Sequence, residues 1–346
     1  MNSNASATHE KSSPAVESTP SAQAHGGEPA LLMVGLGRMG GNMARRLAVK
    51  GARVHGYDRS AASRAALEAT TGQFPVVLHE RLEDAVAALP SPRVVWLMLP
   101  AGVPTQQTID LLGPLLSAGD IVIDGGNANY LDSQARGRAL TARGLDFIDC
   151  GVSGGVWGLQ NGYCLMYGAS ATAAQAVAPL MRMLAVSPSD GWLHCGPVGA
   201  GHFAKMIHNG IEYGMMQALA EGFALLAGKP EFDLKLGEIG ELWRHGSVVR
   251  SWLLDLTAEA LQDPDAMNQV APVVADSGEG RWTVDEAIRQ GTPVPVIAMA
   301  MMSRFDSQGK ADTGNKLLAL MRRGFGGHAV TSAPMMSAPV SSLPEL

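Results

Sequence analysis

Cysteine is scarce in this sequence and forms no pattern: Cys150, Cys164 and Cys195 are the three among 346 residues. An odd number leaves one thiol unpaired in any disulfide scheme, and there is no C-x-x-C pair. This excludes a disulfide-stapled secreted scaffold and points to a reducing compartment, with the three thiols expected as small buried apolar groups. Charge is thin as well. Only 17% of residues are charged and the formal net charge is -6, so a nucleic acid, which attracts basic surfaces, is not an expected partner. No apolar run reaches the roughly 18 residues of a membrane helix, and the first residues lack the basic start and apolar stretch of a signal peptide. No membrane partner is expected, and the location expected is cytoplasmic. Nor is there a compact His/Cys/Asp cluster with ligand spacing, so no metal is expected.

What the sequence does have is apolar material, 46% of its residues, and a length that suits two domains. Residues 1–28 are rich in Ser, Ala, Pro, Thr and Gly with scarcely a large apolar side chain, and are expected to be a disordered tail. Residues 331–346 have the same character and are expected to be a flexible tail. Over 29–196, short apolar runs at 31–34, 54–57, 94–99, 121–123, 147–148 and 164–167 alternate with helical patterns. That alternation predicts an α/β domain with a doubly wound parallel sheet. Over 197–330 strand signals nearly vanish and an all-α domain is expected. Its first helix covers 199–227, where Met206, Ile207, Ile211, Met215, Leu219 and Phe223 form an apolar stripe expected to anchor it in its core.

Directly after the first predicted strand stands Gly35-Leu36-Gly37-Arg38-Met39-Gly40, a G-x-G-x-x-G that opens a helix. The first glycine permits a tight turn, the second lets backbone approach a pyrophosphate, and the third allows helix to pack on strand. The free amides of the helix start then face the phosphates. The motif alone is weak among 41 glycines, but its context is Rossmann-type: the next predicted strand ends in Asp58, placed to accept hydrogen bonds from an adenosine ribose. A carboxylate there favours NAD over NADP, while neighbouring Arg59, able to stack on adenine or reach a phosphate, keeps NADP as the alternative. Leu99-Pro100-Ala101 and Asp124-Gly125-Gly126-Asn127 follow later strands and should border the cofactor crevice, with Asn127 its polar group.

Within the long helix, Lys205, His208, Asn209 and Glu212 are spaced i, i+3, i+4 and i+7, which gathers four polar side chains on one stripe. A solvated face with an internal ion pair has the same pattern. Here, however, the stripe follows a glycine-dense entry, residues 196–201, and a dinucleotide domain that still needs a substrate site. Alcohol oxidation needs a base for the hydroxyl proton, and a lysine with lowered pKa serves, so Lys205 is the candidate. Asn209 can orient the substrate oxygen, His208 can bond a hydroxyl or carboxylate, and Glu212 can protonate a carbanion-like intermediate. Ser153-Gly154-Gly155, after another strand end, suits a substrate carboxylate seated on backbone amides.

With these residues in place, the chain resembles the short form of decarboxylating 6-phosphogluconate dehydrogenase, within the β-hydroxyacid dehydrogenases, over essentially 30–330. The segment that carries most of the likeness is Lys-Met-Ile-His-Asn-Gly-Ile-Glu-Tyr-Gly at 205–214. Gly125-Gly126-Asn127, Val152-Ser153-Gly154-Gly155 and Gly280-Arg281-Trp282-Thr283 support it. The resemblance implies oxidative decarboxylation of 6-phospho-D-gluconate, as in the pentose phosphate pathway and gluconate use, with Lys205 as base then acid and Glu212 as the acid for the enediol. It implies that Asn127, Ser153, His208 and Asn209 bind substrate and that Tyr213 and Arg304 meet its phosphate. By the same likeness Arg322 and His328 reach the substrate of a neighbouring subunit, so a homodimer or homotetramer is expected. Relative to the long members of the family, this chain has Ser277 and Glu279 in place of a lysine and a threonine, and Val156 in place of an acidic residue.

Overall fold

The computed structural model describes residues 28–70, 72, 76–263, 265–326, 329 and 331. The expected N-terminal tail, Glu28 apart, and nearly all of the expected C-terminal tail lie outside them. In chain order the elements run β1 (Ala30–Val34), α1 (Arg38–Val49), β2 (Arg53–Tyr57), α2 (Ala61–Glu68), β3 (Val76–His79), α3 (Leu82–Ala87), β4 (Val94–Leu97), α4 (Val103–Leu112), β5 (Ile121–Asp124), α5 (Tyr130–Thr141), β6 (Asp146–Ser153), α6 (Gly158–Asn161), β7 (Cys164–Gly168), α7 (Ala171–Leu184) and β8 (Trp192–Gly196). Only helices and short turns follow: α8 (Ala200–Ala227), α9 (Leu236–Arg244), α10 (Trp252–Gln262), α11 (Glu279–Gln290), α12 (Pro295–Ser307) and α13 (Asp312–Gly326).

The strands form one sheet in the order β3-β2-β1-β4-β5-β6-β7-β8. The chain starts in the middle, winds outward through β2 and β3, and crosses back to β4, so the order reverses between β1 and β4. A crevice opens there at the carboxyl ends of the strands. One pairing departs from the all-parallel expectation: β7 runs antiparallel to β6. The link between them is too short for a parallel crossover, which needs a dozen or more residues, and a return in the opposite direction is what it permits. β3 and β8 carry weak sequence signals because both are shallowly buried, with Val77 and Leu193 open to solvent.

Apolar cores cover both faces of the sheet. Leu31, Met33, Met43 and Leu47 pack between β1 and α1 on one side, and Leu32, Val95, Ile109 and Phe147 fill the other. Burial of this kind contributes about 25 cal/mol per Å² of apolar surface and accounts for why the short strand runs hold so firmly. Of the three thiols, which are all free, Cys150 alone is buried, while Cys195 is half-buried and Cys164 is exposed at the end of β7.

The long helix α8 does not bury the face its apolar stripe suggests. Met206 and Phe223 are buried, but Ile211 is 52% and Met215 42% exposed. Lys205, Asn209, Gly210, Tyr213 and Gly214 face inward instead. Glycine explains the difference. A Cβ on Gly201 would lie 2.4 Å from the Asp149 carbonyl oxygen and 2.6 Å from that of Met166, and one on Gly151 of β6 would lie 2.3 Å from the Cβ of Lys205. The helix therefore settles directly on the sheet along its glycine face, and the middle of the apolar stripe, Ile211 and Met215, is left exposed.

Candidate functional site

The loops at the sheet's carboxyl edge are fixed first. Gly35, at φ +91°, turns the chain after β1, and its amide donates to the Tyr57 carbonyl at 2.9 Å. Gly40 abuts the Gly35 carbonyl so closely that a Cβ there would lie 1.9 Å from it. Asp58, at the end of β2, accepts the Leu36 amide at 2.8 Å and the Ser60 amide at 2.8 Å, so the acidic group expected at the ribose also ties down the glycine loop. Each of its oxygens keeps a second lone pair for a ligand. No side chain caps the start of α1, and nothing lies within 4 Å of where a Cβ on Gly37 would stand. Uncapped amides facing open space are what a pyrophosphate requires, so these residues fit a dinucleotide.

After β5, Asp124 accepts the Gly126 amide at 3.1 Å and forms a buried ion pair with Arg136 of α5 at 3.0 Å. This clamps the Gly125–Asn127 turn. Asp149, midway along β6, accepts the Gly199 amide at 2.6 Å and the His202 amide at 2.7 Å. A buried carboxylate from the sheet thus caps α8, whose own N-terminal residue, Gly199, offers no side chain. Burial raises the Asp149 pKa, and the helix-start amides and His202 oppose that shift.

Above these ends lies a cleft of about 1230 Å³, walled on the sheet side by Met39, Leu99, Gly126, Asn127 and Ser153 and on the helical side by α8, α10, α11 and α12. The four polar residues of the α8 stripe all line it. Lys205 Nζ lies 3.3 Å from His208 Nδ1, which is 3.2 Å from Asn209 Oδ1 and 3.8 Å from Glu212 Oε2. Asn209 Nδ2 donates to Asn127 Oδ1 at 3.5 Å across the cleft floor. Burial lowers the Lys205 pKa, with Glu212 as the largest opposing influence. The arrangement offers a lysine that gives up its proton more readily than in water, a half-exposed carboxylate on the same cleft wall, and amide groups able to bond hydroxyls.

Residues 30–195 match the family model described as the NAD binding domain of 6-phosphogluconate dehydrogenase, and residues 201–328 match the one for its C-terminal domain. The chain belongs to the 6-phosphogluconate dehydrogenase family. Among similar proteins is the NAD(+)-dependent, decarboxylating 6-phosphogluconate dehydrogenase of Haloferax volcanii, 39% identical over 299 residues that cover 86% of this chain and 97% of that one. The NAD(+)-dependent, decarboxylating enzyme of Bacillus subtilis is 34% identical over 291 residues, which span 81% of this chain and 62% of that longer one. Among solved structures, Plasmodium falciparum 6-phosphogluconate dehydrogenase, studied apo, with its cofactor NADP+ and with its substrate 6-phosphogluconate, superposes with a TM-score of 0.75. It is 27% identical, covering 90% of this chain and 67% of that one.

Within this dehydrogenase-family cleft, Asn127, Ser153, Gly154, Gly155, Lys205, His208, Asn209, Glu212, Tyr213 and Arg304 come together. Gly35, Leu36, Gly37, Arg38 and Gly40 lie at the end of β1, Asp58 and Arg59 at the end of β2, and Pro100 and Ala101 beyond β4, all on the same edge of the sheet. Arg322 stands exposed on α13 and does not line the cleft; His328 lies outside the described residues. Asp149 was not expected in the site's construction, while Asp124 was expected only as part of the crevice loop and Glu279 only as a departure from the long members of the family. A charged residue ending an apolar run was the available signal for the two aspartates. Glu279 was marked by the resemblance alone, as a residue the long members of the family do not have there.

Proposed function

We infer that the chain oxidises 6-phospho-D-gluconate at its third carbon with NAD and decarboxylates the resulting β-keto acid to ribulose 5-phosphate. The observation that carries this reading is the shared cleft: Lys205 and Glu212, two turns apart on α8, face it together with the carboxyl-end loops of β4 and β5. NAD, held by the α1 amides with Asp58 and Arg59 at the adenosine end, supplies the hydride acceptor. The Lys205 amine takes the hydroxyl proton as the alcohol carbon is oxidised. When the carbon–carbon bond to the carboxylate breaks, its electron pair moves into the new carbonyl, and Lys205 returns the proton to that oxygen. Glu212 then protonates the enediol at the carbon that bore the carboxylate while Lys205 takes back the hydroxyl proton, giving the ketone.

Asn127, His208 and Asn209 hold the hydroxyls, Ser153 with the amides of Gly154 and Gly155 seats the carboxylate, and Tyr213 with Arg304 meets the phosphate end. In this reading the protein works in the cytoplasm as a homodimer or homotetramer, with Arg322 and His328 serving a neighbouring subunit. The test is an assay of the purified protein with 6-phosphogluconate and NAD, or NADP, that follows both reduced cofactor and carbon dioxide. Equimolar production of the two, with NAD preferred, is the expected result. Reduced cofactor without carbon dioxide would instead indicate a non-decarboxylating hydroxyacid dehydrogenase.

A further inference from the structure

Glu279 is 4% exposed, yet it lines the cleft from the first turn of α11. Its carboxylate accepts hydrogen bonds from neutral groups: the Asn127 amide, the Ser277 hydroxyl at 2.6 Å and the Tyr213 hydroxyl at 3.5 Å. Among the described residues, no Lys or Arg nitrogen pairs with it within 4 Å. The cations nearby make their closest contacts elsewhere, although Lys205 feels the Glu279 carboxylate through space. Lys205 Nζ is beside His208, and the Arg304 guanidinium lies 3.4 Å over the Tyr213 ring and donates to the Ala275 carbonyl at 2.9 Å. A carboxylate in so poorly screened a place repels like charges strongly and welcomes hydroxyl donors.

Tyr213 makes the geometry specific. Its hydroxyl points to Glu279 and its ring supports Arg304, so an anionic group drawn to that guanidinium comes within one aromatic ring of the carboxylate. We propose that Glu279 is a specificity-determining residue that sets the preference between phosphorylated and unphosphorylated sugar acids: it accepts hydrogen bonds from substrate hydroxyls and opposes a doubly charged terminal group at Arg304. The Asn127 amide that occupies it without substrate is the group a sugar hydroxyl replaces. This rests on the cleft being the sugar-acid site argued above.

Glu279→Gln removes the charge and keeps one acceptor at similar size. The ratio of kcat/KM for 6-phosphogluconate to that for gluconate should rise about tenfold, equivalent to about 1.4 kcal/mol, with the KM for NAD held within about twofold. Glu279→Asp, which keeps the charge, should leave the ratio near its starting value. A ratio that stays constant or falls in the Gln variant overturns the proposal. Should the Gln variant not fold, Glu279→Ala is read by the same ratio. If the wild-type protein turns over neither compound, it is the catalytic reading that fails. Titration with inorganic phosphate then tests Glu279 alone: about tenfold tighter binding by the Gln variant supports it, and equal binding overturns it.

Discussion

Burial acts on Lys205 in two ways: it strips water from the amine, and it makes the charge of Glu212 count. The first lowers the lysine pKa and the second partly restores it, so the free amine forms at a pH below the ordinary lysine value of 10.5. A base must be deprotonated to act, so kcat/KM should rise with pH along a limb set by Lys205. In Glu212→Gln the opposing charge is gone, and that limb should move to lower pH even as the maximum rate drops. A limb that stays in place or moves up would detach Glu212 from the lysine. Lys205→Met should lower kcat by about a hundredfold or more, the usual weight of a general base, while NAD affinity measured by fluorescence titration stays near wild type. Equal loss of both would make the lysine a packing residue. Asp58 answers a different question, because its carboxylate both anchors the Leu36 amide and stands where a ribose would lie. Asp58→Ala should therefore raise the KM of both nicotinamide cofactors and narrow the preference for NAD; an unchanged ratio of specificity constants would remove the ribose contact and leave the anchor. The Lys205 stripe was legible because helical spacing alone gathers it. For Glu279 the resemblance marked the position but not the contacts, since its principal partner, Asn127, lies 152 residues away in sequence and belongs to the other half of the fold.

At the scale of elements, α8 is the part on which the site depends, and its depth is set by glycine against backbone. Gly201 lies against the Asp149 and Met166 carbonyls and the Gly168 amide, none of which can rotate aside as a side chain could. Gly201→Ala should lift the start of α8 from the sheet, costing about 2 kcal/mol or more in urea unfolding, and should lower kcat by moving Lys205 relative to the β5 turn. Wild-type stability and turnover in this variant would show that the helix tolerates displacement. The central strands were readable because buried parallel strands are continuous apolar runs, as in β1, β4 and β5. β3 and β8 sit at the two sheet edges, where half-exposed side chains blur that signal, and the reversal at β7 is written in loop length rather than in the strand itself. The inward face of α8 was misjudged for a related reason: hydrophobicity marks a buried face only where side chains do the packing. Here Gly201, Gly210 and Gly214 do much of it.

The whole molecule shows where that displaced apolar surface goes. Ile211 and Met215 on α8, Met299 and Met302 on α12, and Leu318 and Met321 on α13 all stand exposed on the helical half. Single exposed apolar residues are ordinary, and Ile211 and Met215 line the cleft, but Met299, Met302, Leu318 and Met321 on two further helices are surface that the proposed association of subunits would cover. In the homo-oligomer proposed above, a second copy of the chain is the occupant, with Arg322 of α13 serving the neighbour's cleft. Leu318→Asp combined with Met321→Asp should shift the protein toward monomer in light scattering. Because burying apolar surface is the main drive for such association, the shift should be marked. If the subunits complete each other's sites, the monomeric variant should lose most turnover with 6-phosphogluconate while still binding NAD, whose pocket lies wholly within one sheet. A wild-type protein that runs as a monomer at assay concentrations and turns over fully would refute the shared site.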